Sequence, residues 1–291
     1  MSKFVDALRS GKVLVADGAT GTNLQQRGLA LGETTERWVF EHPHEIVRLH
    51  RDFIAAGADL ILTCTFGATS IRLEHAGLAE QAAEINTDAV FLAKEAAAGT
   101  GVLVAGSMGP TGLLFQPFGP LQEADAVSAF ALQARALAQA GADLLVIETQ
   151  FDLGEARAAI QGARAACSLP IVCSFSYDRG TRTMMGVRPA QMAQELVGLV
   201  DVLGINCGRS LEENFKALQE LRAATSLPIW FKPNAGMPEL DAQGIPSYSF
   251  TPAQEAVLAP QWVKAGAQIV GGCCGTSPEH LAAIAHAVKA Q

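Results

Sequence analysis

Along the chain, short apolar runs alternate with longer stretches in which apolar residues recur every three or four positions. Eight runs stand out: VLVADG (13–18), DLILTCT (59–65), VLVAGS (102–107), DLLVIET (143–149), PIVCSFS (170–176), VLGINC (202–207), PIWFKPN (228–234) and QIVGGCC (268–274). Each is nearly continuous in apolar residues, as expected of a strand buried on both faces of a parallel sheet. The stretches between them, among them 80–98, 123–140, 189–199, 211–223 and 278–289, are alanine-rich and keep helical spacing. The joints repeat as well. AGAD recurs at 56–59 and 140–143, and AGAQ stands at 265–268, so a glycine closes a helix just before a strand. SLPI at 168–171 and 226–229 brings proline into the start of a strand. Eight strand–helix units predict one α/β domain over residues 1–291, a (β/α)8 barrel of TIM type. A doubly wound open sheet is the second choice, but it would need a phosphate-binding glycine loop, and no clear one is present.

Composition narrows the function classes. With 291 residues, 49% of them hydrophobic, the chain can bury a large core. The net charge of -8 and the lack of a basic run argue against nucleic acid or an anionic membrane as partner. The first residues lack the apolar stretch of a signal peptide, and no run is long enough to cross a bilayer, so a cytoplasmic location is expected. Six cysteines in a cytoplasmic chain point to thiols, metal ligation or catalysis before disulfides.

In such a barrel the active site lies at the C-terminal ends of the strands. The residues ending the runs include Asp17, Thr65, Ser107, Glu148, Cys207, Lys232, Asn234, Cys273 and Cys274. Three thiolates with one open position describe a catalytic zinc site. Strand alternation would split Cys273 from Cys274, so Gly271, Gly272 and Gly275 are expected to break the strand and turn both sulfurs one way. A vicinal disulfide and plain packing are the competing accounts of the pair. Cys167 and Cys173 fit packing positions, and Cys64, at the end of the second strand, is a candidate to line the site. No histidine ends a run, which disfavours a histidine base.

DGATGTNLQQRG (17–28), HRDFIAAGADLILTCTFGAT (50–69), GSMGPTG (106–112), INCG (205–208) and GGCCGTSPEHL (271–281) together resemble the homocysteine S-methyltransferase family, and most nearly the homocysteine-binding domain of cobalamin-dependent methionine synthases. The resemblance covers almost the whole chain. It implies a barrel that binds one Zn2+ through Cys207, Cys273 and Cys274 and transfers a methyl group to the homocysteine sulfur, giving methionine. Homocysteine would take the open zinc position as its thiolate. Glu148 is then the best acceptor for its ammonium group, against a purely structural ion-pair role. Asp17 would orient the substrate or the loop, against a plain Asp-Gly turn. Backbone N–H groups of Gly18 and Ala19 would hold the carboxylate, with Thr65 and Ser107 as further candidates. Asn234 is a candidate displaceable fourth ligand.

The methyl donor is the least legible part. The sequence carries no folate or cobalamin domain and no D-x-H-x-x-G signature, so the donor is expected from outside: a sulfonium such as S-methylmethionine, an ammonium such as betaine, or a methyl-corrinoid on a separate protein. The loops 109–121 and 234–250 are candidate lids or docking surfaces. The competing functions are a non-catalytic zinc-binding barrel that serves as subunit or regulator, and a redox protein using Cys273 and Cys274.

Overall fold

The eight apolar runs form eight parallel strands: β1 (Leu14–Val15), β2 (Leu60–Leu62), β3 (Leu103–Met108), β4 (Leu144–Gln150), β5 (Ile171–Phe175), β6 (Val202–Cys207), β7 (Ile229–Pro233) and β8 (Ile269–Val270). The computed structural model describes residues 2–240 and 246–290. Neighbours in the chain are neighbours in the sheet from β2 to β8. β8 pairs with β1 through Leu14–Ile269 and Val15–Val270, and an isolated bridge between Ala16 and Leu60 closes the ring. β1 is short because side chains take over its ladder. Asp59 Oδ2 accepts the Val15 N–H at 2.8 Å, and Asp17 Oδ2 accepts the Leu62 N–H at 2.7 Å.

Helices fill the intervals as the spacing predicts. Those at Ala82–Ala97, Glu123–Ala140, Pro189–Leu196, Leu211–Ala224 and Pro278–Lys289 match the expected stretches to within a few residues. The AGAD joint works as its composition suggests: Gly141 ends the helix with φ 102°, a left-handed value that glycine adopts without a Cβ clash. The sheet alternates faces along every strand. Outward residues such as Ile147, Cys173, Phe175 and Phe231 pack under the helices in one large core. Inward residues such as Leu103, Leu144, Val172 and Trp230 form a second apolar cluster, which Phe4 and Leu8 of the N-terminal helix Lys3–Arg9 close from below.

The same inward faces turn polar nearer the C-terminal ends. Two residues beyond Ala105, Val146, Val172 and Trp230 come Ser107, Glu148, Ser174 and Lys232, all buried. The barrel is therefore apolar at its base and polar at its mouth. In the loop 109–121, Leu121 is buried while Leu114 and Phe118 stay exposed. In the loop 234–250, Pro238–Leu240 and Pro246–Tyr248 form an antiparallel hairpin, and residues 241–245 lie outside those described.

Candidate metal and substrate site

The Cys273–Cys274 pair sits where β8 gives way to a turn. The Cys273 N–H donates to Pro233 O at 2.7 Å, and the Thr276 N–H donates back to Cys273 O at 3.1 Å. Gly275, the third residue of that turn, has φ 84°, which only glycine supplies cheaply. Gly271 serves another purpose: a β-carbon there would lie 2.6 Å from Ala16 O. Close backbone contact and the turn end the alternation together, and both sulfurs face one way. Cys207, the last residue of β6, has φ 60° and is held there by the Asn214 amide, which donates to Cys207 O at 2.6 Å. Such a left-handed non-glycine residue costs on the order of 1–3 kcal/mol. The result is that the Sγ atoms of Cys207, Cys273 and Cys274 all lie within 4.8 Å of one another.

The three thiols share their protons. Hydrogen bonds from Cys273 and Cys274 hold Cys207 well below the ordinary thiol value. Donating to Cys207 in turn pushes Cys273 up to about 12 and Cys274 also upward. One thiolate therefore forms readily, and further deprotonation calls for a cation.

Beside the sulfurs lies a polar floor. Glu148 is buried at the end of β4, and its Oε1 accepts the Ser107 hydroxyl at 2.5 Å. Burial pushes Glu148 up to about 7, although Lys232 pulls the other way. Lys232 is buried on β7, with Nζ 2.7 Å from Asp17 Oδ1 and 5.5 Å from the centroid of the Trp230 ring. Burial works against its charge, but the carboxylates of Asp17 and Glu148 hold its pKa above the lysine value. Burial also raises Asp17, against the pull of Lys232. The 2.7 Å contact and the Leu62 N–H on the other Asp17 oxygen favour the ionised pair. Asn206 braces the mouth. It accepts the Thr149 N–H at 2.8 Å and the Ser174 hydroxyl at 2.6 Å, and its amide lies 3.8 Å from Cys273 Sγ.

These groups surround a cavity of about 390 Å³. Of the expected site residues, Cys207, Cys273, Cys274, Gly18, Ala19, Ser107 and Glu148 line it. Four of the expected residues already have protein partners. Thr65 is buried behind the wall, donating to Ser107 O at 2.7 Å, so it supports Ser107 and does not face a substrate. Asp17 is committed to Lys232 and Leu62. The Ala19 N–H already donates to Thr276 O at 3.1 Å. Asn234 accepts the Cys274 N–H at 3.0 Å, donates to Gly208 O at 2.7 Å and also hydrogen-bonds the Cys207 thiol, so it ties the two cysteine loops together beside the sulfurs. Lys232, Asn206 and Tyr248, whose ring lines the cavity beside Gly275, had no role from sequence. Lys232 carried a signal all the same: a charge inside an otherwise apolar run.

Residues 14–288 match the profile of the homocysteine S-methyltransferase family. The chain is 31% identical to the methionine synthase of Mycobacterium tuberculosis over 96% of its own length, and it spans about a quarter of that curated relative. The crystal structure of the homocysteine methyltransferase MmuM from Escherichia coli, in its metallated form, superposes with a TM-score of 0.81 at 30% identity, covering 96% of this chain and 98% of that one. The carboxyl transferase domain of Rhizobium etli pyruvate carboxylase, 15% identical with a TM-score of 0.55, shares the fold alone. On the profile match, the chain belongs to the homocysteine S-methyltransferase family.

Proposed function

We propose that the protein is a zinc-dependent homocysteine S-methyltransferase that forms methionine from homocysteine. The observation that carries this reading is the convergence of three Sγ atoms within 4.8 Å beside a cavity lined by Glu148. The donor set fits the metal. Thiolates are soft ligands suited to zinc, and Zn–S bonds of about 2.3 Å at tetrahedral angles place sulfurs about 3.8 Å apart. That spacing lies inside the observed limit. That MmuM has a metallated form supports a metal in this fold. Cys207, Cys273 and Cys274 would hold one zinc per chain and leave a fourth position towards the cavity. When bound, zinc lowers the pKa of a coordinated homocysteine thiol and presents it as a thiolate nucleophile.

The chain's own residues do the rest. Glu148, oriented by Ser107, accepts the substrate ammonium. Asn206 holds the mouth of β4 and β6 in register with Cys273. The donor is a sulfonium, an ammonium or a methyl-corrinoid on a separate protein.

Metal analysis with a donor panel tests the proposal. The purified protein should carry about one zinc per chain, and Cys207→Ser should lose it. Homocysteine with S-methylmethionine, betaine or methylcobalamin, scored as methionine formed, identifies the donor. A protein that holds zinc and binds no homocysteine would point to the non-catalytic barrel, and a zinc-free protein with a reducible Cys273–Cys274 disulfide would sink both.

A further inference from the structure

Three charged side chains meet below the cavity, and of their four carboxylate oxygens only Glu148 Oε2 lacks a donor among the described residues. Asp17 has a donor on each oxygen, with Oδ1 accepting from Lys232 Nζ at 2.7 Å and Oδ2 from the Leu62 N–H at 2.7 Å. Glu148 is different. Its Oε1 takes the Ser107 hydroxyl, while Oε2 has no donor among the described residues, and the side chain lines the cavity. Lys232 also lines the cavity, so its ammonium has two carboxylates to choose between. The geometry gives it to Asp17, and the Trp230 ring supports it from the side.

We infer that Asp17 and Lys232 form a charge clamp that sets substrate specificity: Asp17 holds the Lys232 ammonium away from Glu148, and so leaves Glu148 free to select thiols bearing an α-ammonium group. Both are positioning residues and neither needs to touch the substrate. The charge count follows. Two carboxylates and one ammonium leave a single net negative charge, which an incoming ammonium neutralises. Without Asp17, the buried lysine has one anion left to pair with, and that anion is Glu148, because a buried cation without a partner is costly. The pocket would then lose its preference for an ammonium group. With the lysine removed as well, Glu148 is free again. The inference rests on homocysteine as the substrate.

The test is a rescue experiment on the zinc-loaded, full-length protein. Calorimetry measures binding of homocysteine, of desamino-homocysteine (mercaptobutanoate) and of descarboxy-homocysteine (aminopropanethiol). The wild type should favour homocysteine over the desamino analogue. Asp17→Asn should cut that preference by about tenfold or more, the loss expected for one charge-assisted hydrogen bond. The double variant D17N/K232M, in which both members of a buried pair become neutral, should restore most of it. Zinc content should be unchanged throughout. If D17N/K232M remains as poor as D17N, then Asp17 itself holds the ammonium and the clamp is wrong. If the double variant loses affinity for homocysteine but not for the descarboxy analogue, Lys232 binds the substrate carboxylate, which also overturns it. Should D17N fold poorly, the pair K232M and D17N/K232M still decides: the clamp requires ammonium selectivity in both, and loss in either overturns it. A wild type that binds none of the three thiols would instead overturn the homocysteine reading.

Discussion

Glu148 is the residue whose ionisation the proposed chemistry feels most directly. Burial raises its pKa to about 7, and only the ionised form accepts an ammonium. Homocysteine affinity should therefore fall as the pH drops through about 7, tending to about tenfold per pH unit for one proton. Glu148→Gln should flatten that part of the profile and weaken binding by about ten- to a hundredfold at neutral pH. The substrate thiol also releases a proton on binding the zinc-loaded protein, but it does so equally in both proteins. Calorimetric titration of both across pH isolates the difference; parallel profiles would remove Glu148 from the substrate site. At this scale the sequence was informative where position alone decides. A residue that ends a barrel strand reaches the mouth, and that places the three cysteines, Ser107 and Glu148. It was uninformative where partnership decides. Asp17 pairs with Lys232 across 215 residues of chain, and Asn234 spends both ends of its amide on backbone groups of other loops. Neither pairing has a local signal.

At the scale of elements, the helix Pro252–Lys264 carries an internal conflict. Thr251 and Gln254 form a capping box at its start, and Glu255 sits in the first turn, where a carboxylate is ordinarily welcome. Yet Glu255 is buried, its Oε2 has no partner among the described residues, and burial pushes its pKa from 4.5 up to about 7. The folded state thus keeps a proton that the unfolded chain gives up, and stability falls as the pH rises from about 4.5 to about 7. Glu255→Gln removes the ionisation. Relative to wild type it should gain nothing at the acid end and up to about 3 kcal/mol above neutrality. Urea unfolding of both proteins at several pH values reads this directly, and a difference that does not grow with pH would exclude it. The sequence reading of elements was good in number and place and weaker at the ends, for a physical reason. The apolar runs 13–18 and 268–274 yield ladders of only two residues each, because Asp17 and Asp59 carboxylates replace backbone partners at one and the 273–276 turn ends the other. Apolar content marks burial, whereas strand length depends on who accepts each N–H. The hairpin Pro238–Leu240 with Pro246–Tyr248 left no period-two signal among its prolines and turn residues.

For the whole molecule, the parallel direction of the strands separates stability from chemistry. The alternating units were enough to foresee a barrel and which end would carry the site, because every strand in such a fold points the same way. What closes the other end was not foreseen. The N-terminal helix Lys3–Arg9 has only seven residues, too short to stand out by periodicity, yet Phe4 is wholly buried against the inner cluster of Leu14, Leu60, Leu103 and Trp230. Phe4→Ala should cost about 3–5 kcal/mol, the usual range for emptying a buried aromatic site. The cysteines, Glu148 and Lys232 lie at the opposite end, with a layer of packed aliphatic side chains between, and tightly packed interiors resist remodelling over that distance. Zinc content and homocysteine affinity of the folded variant should therefore match wild type at a temperature well below its lowered midpoint. Thermal unfolding and calorimetry on one preparation check both halves. If homocysteine affinity fell in step with stability, the base and the mouth of the barrel would be coupled, and the division of labour along the barrel axis would not hold.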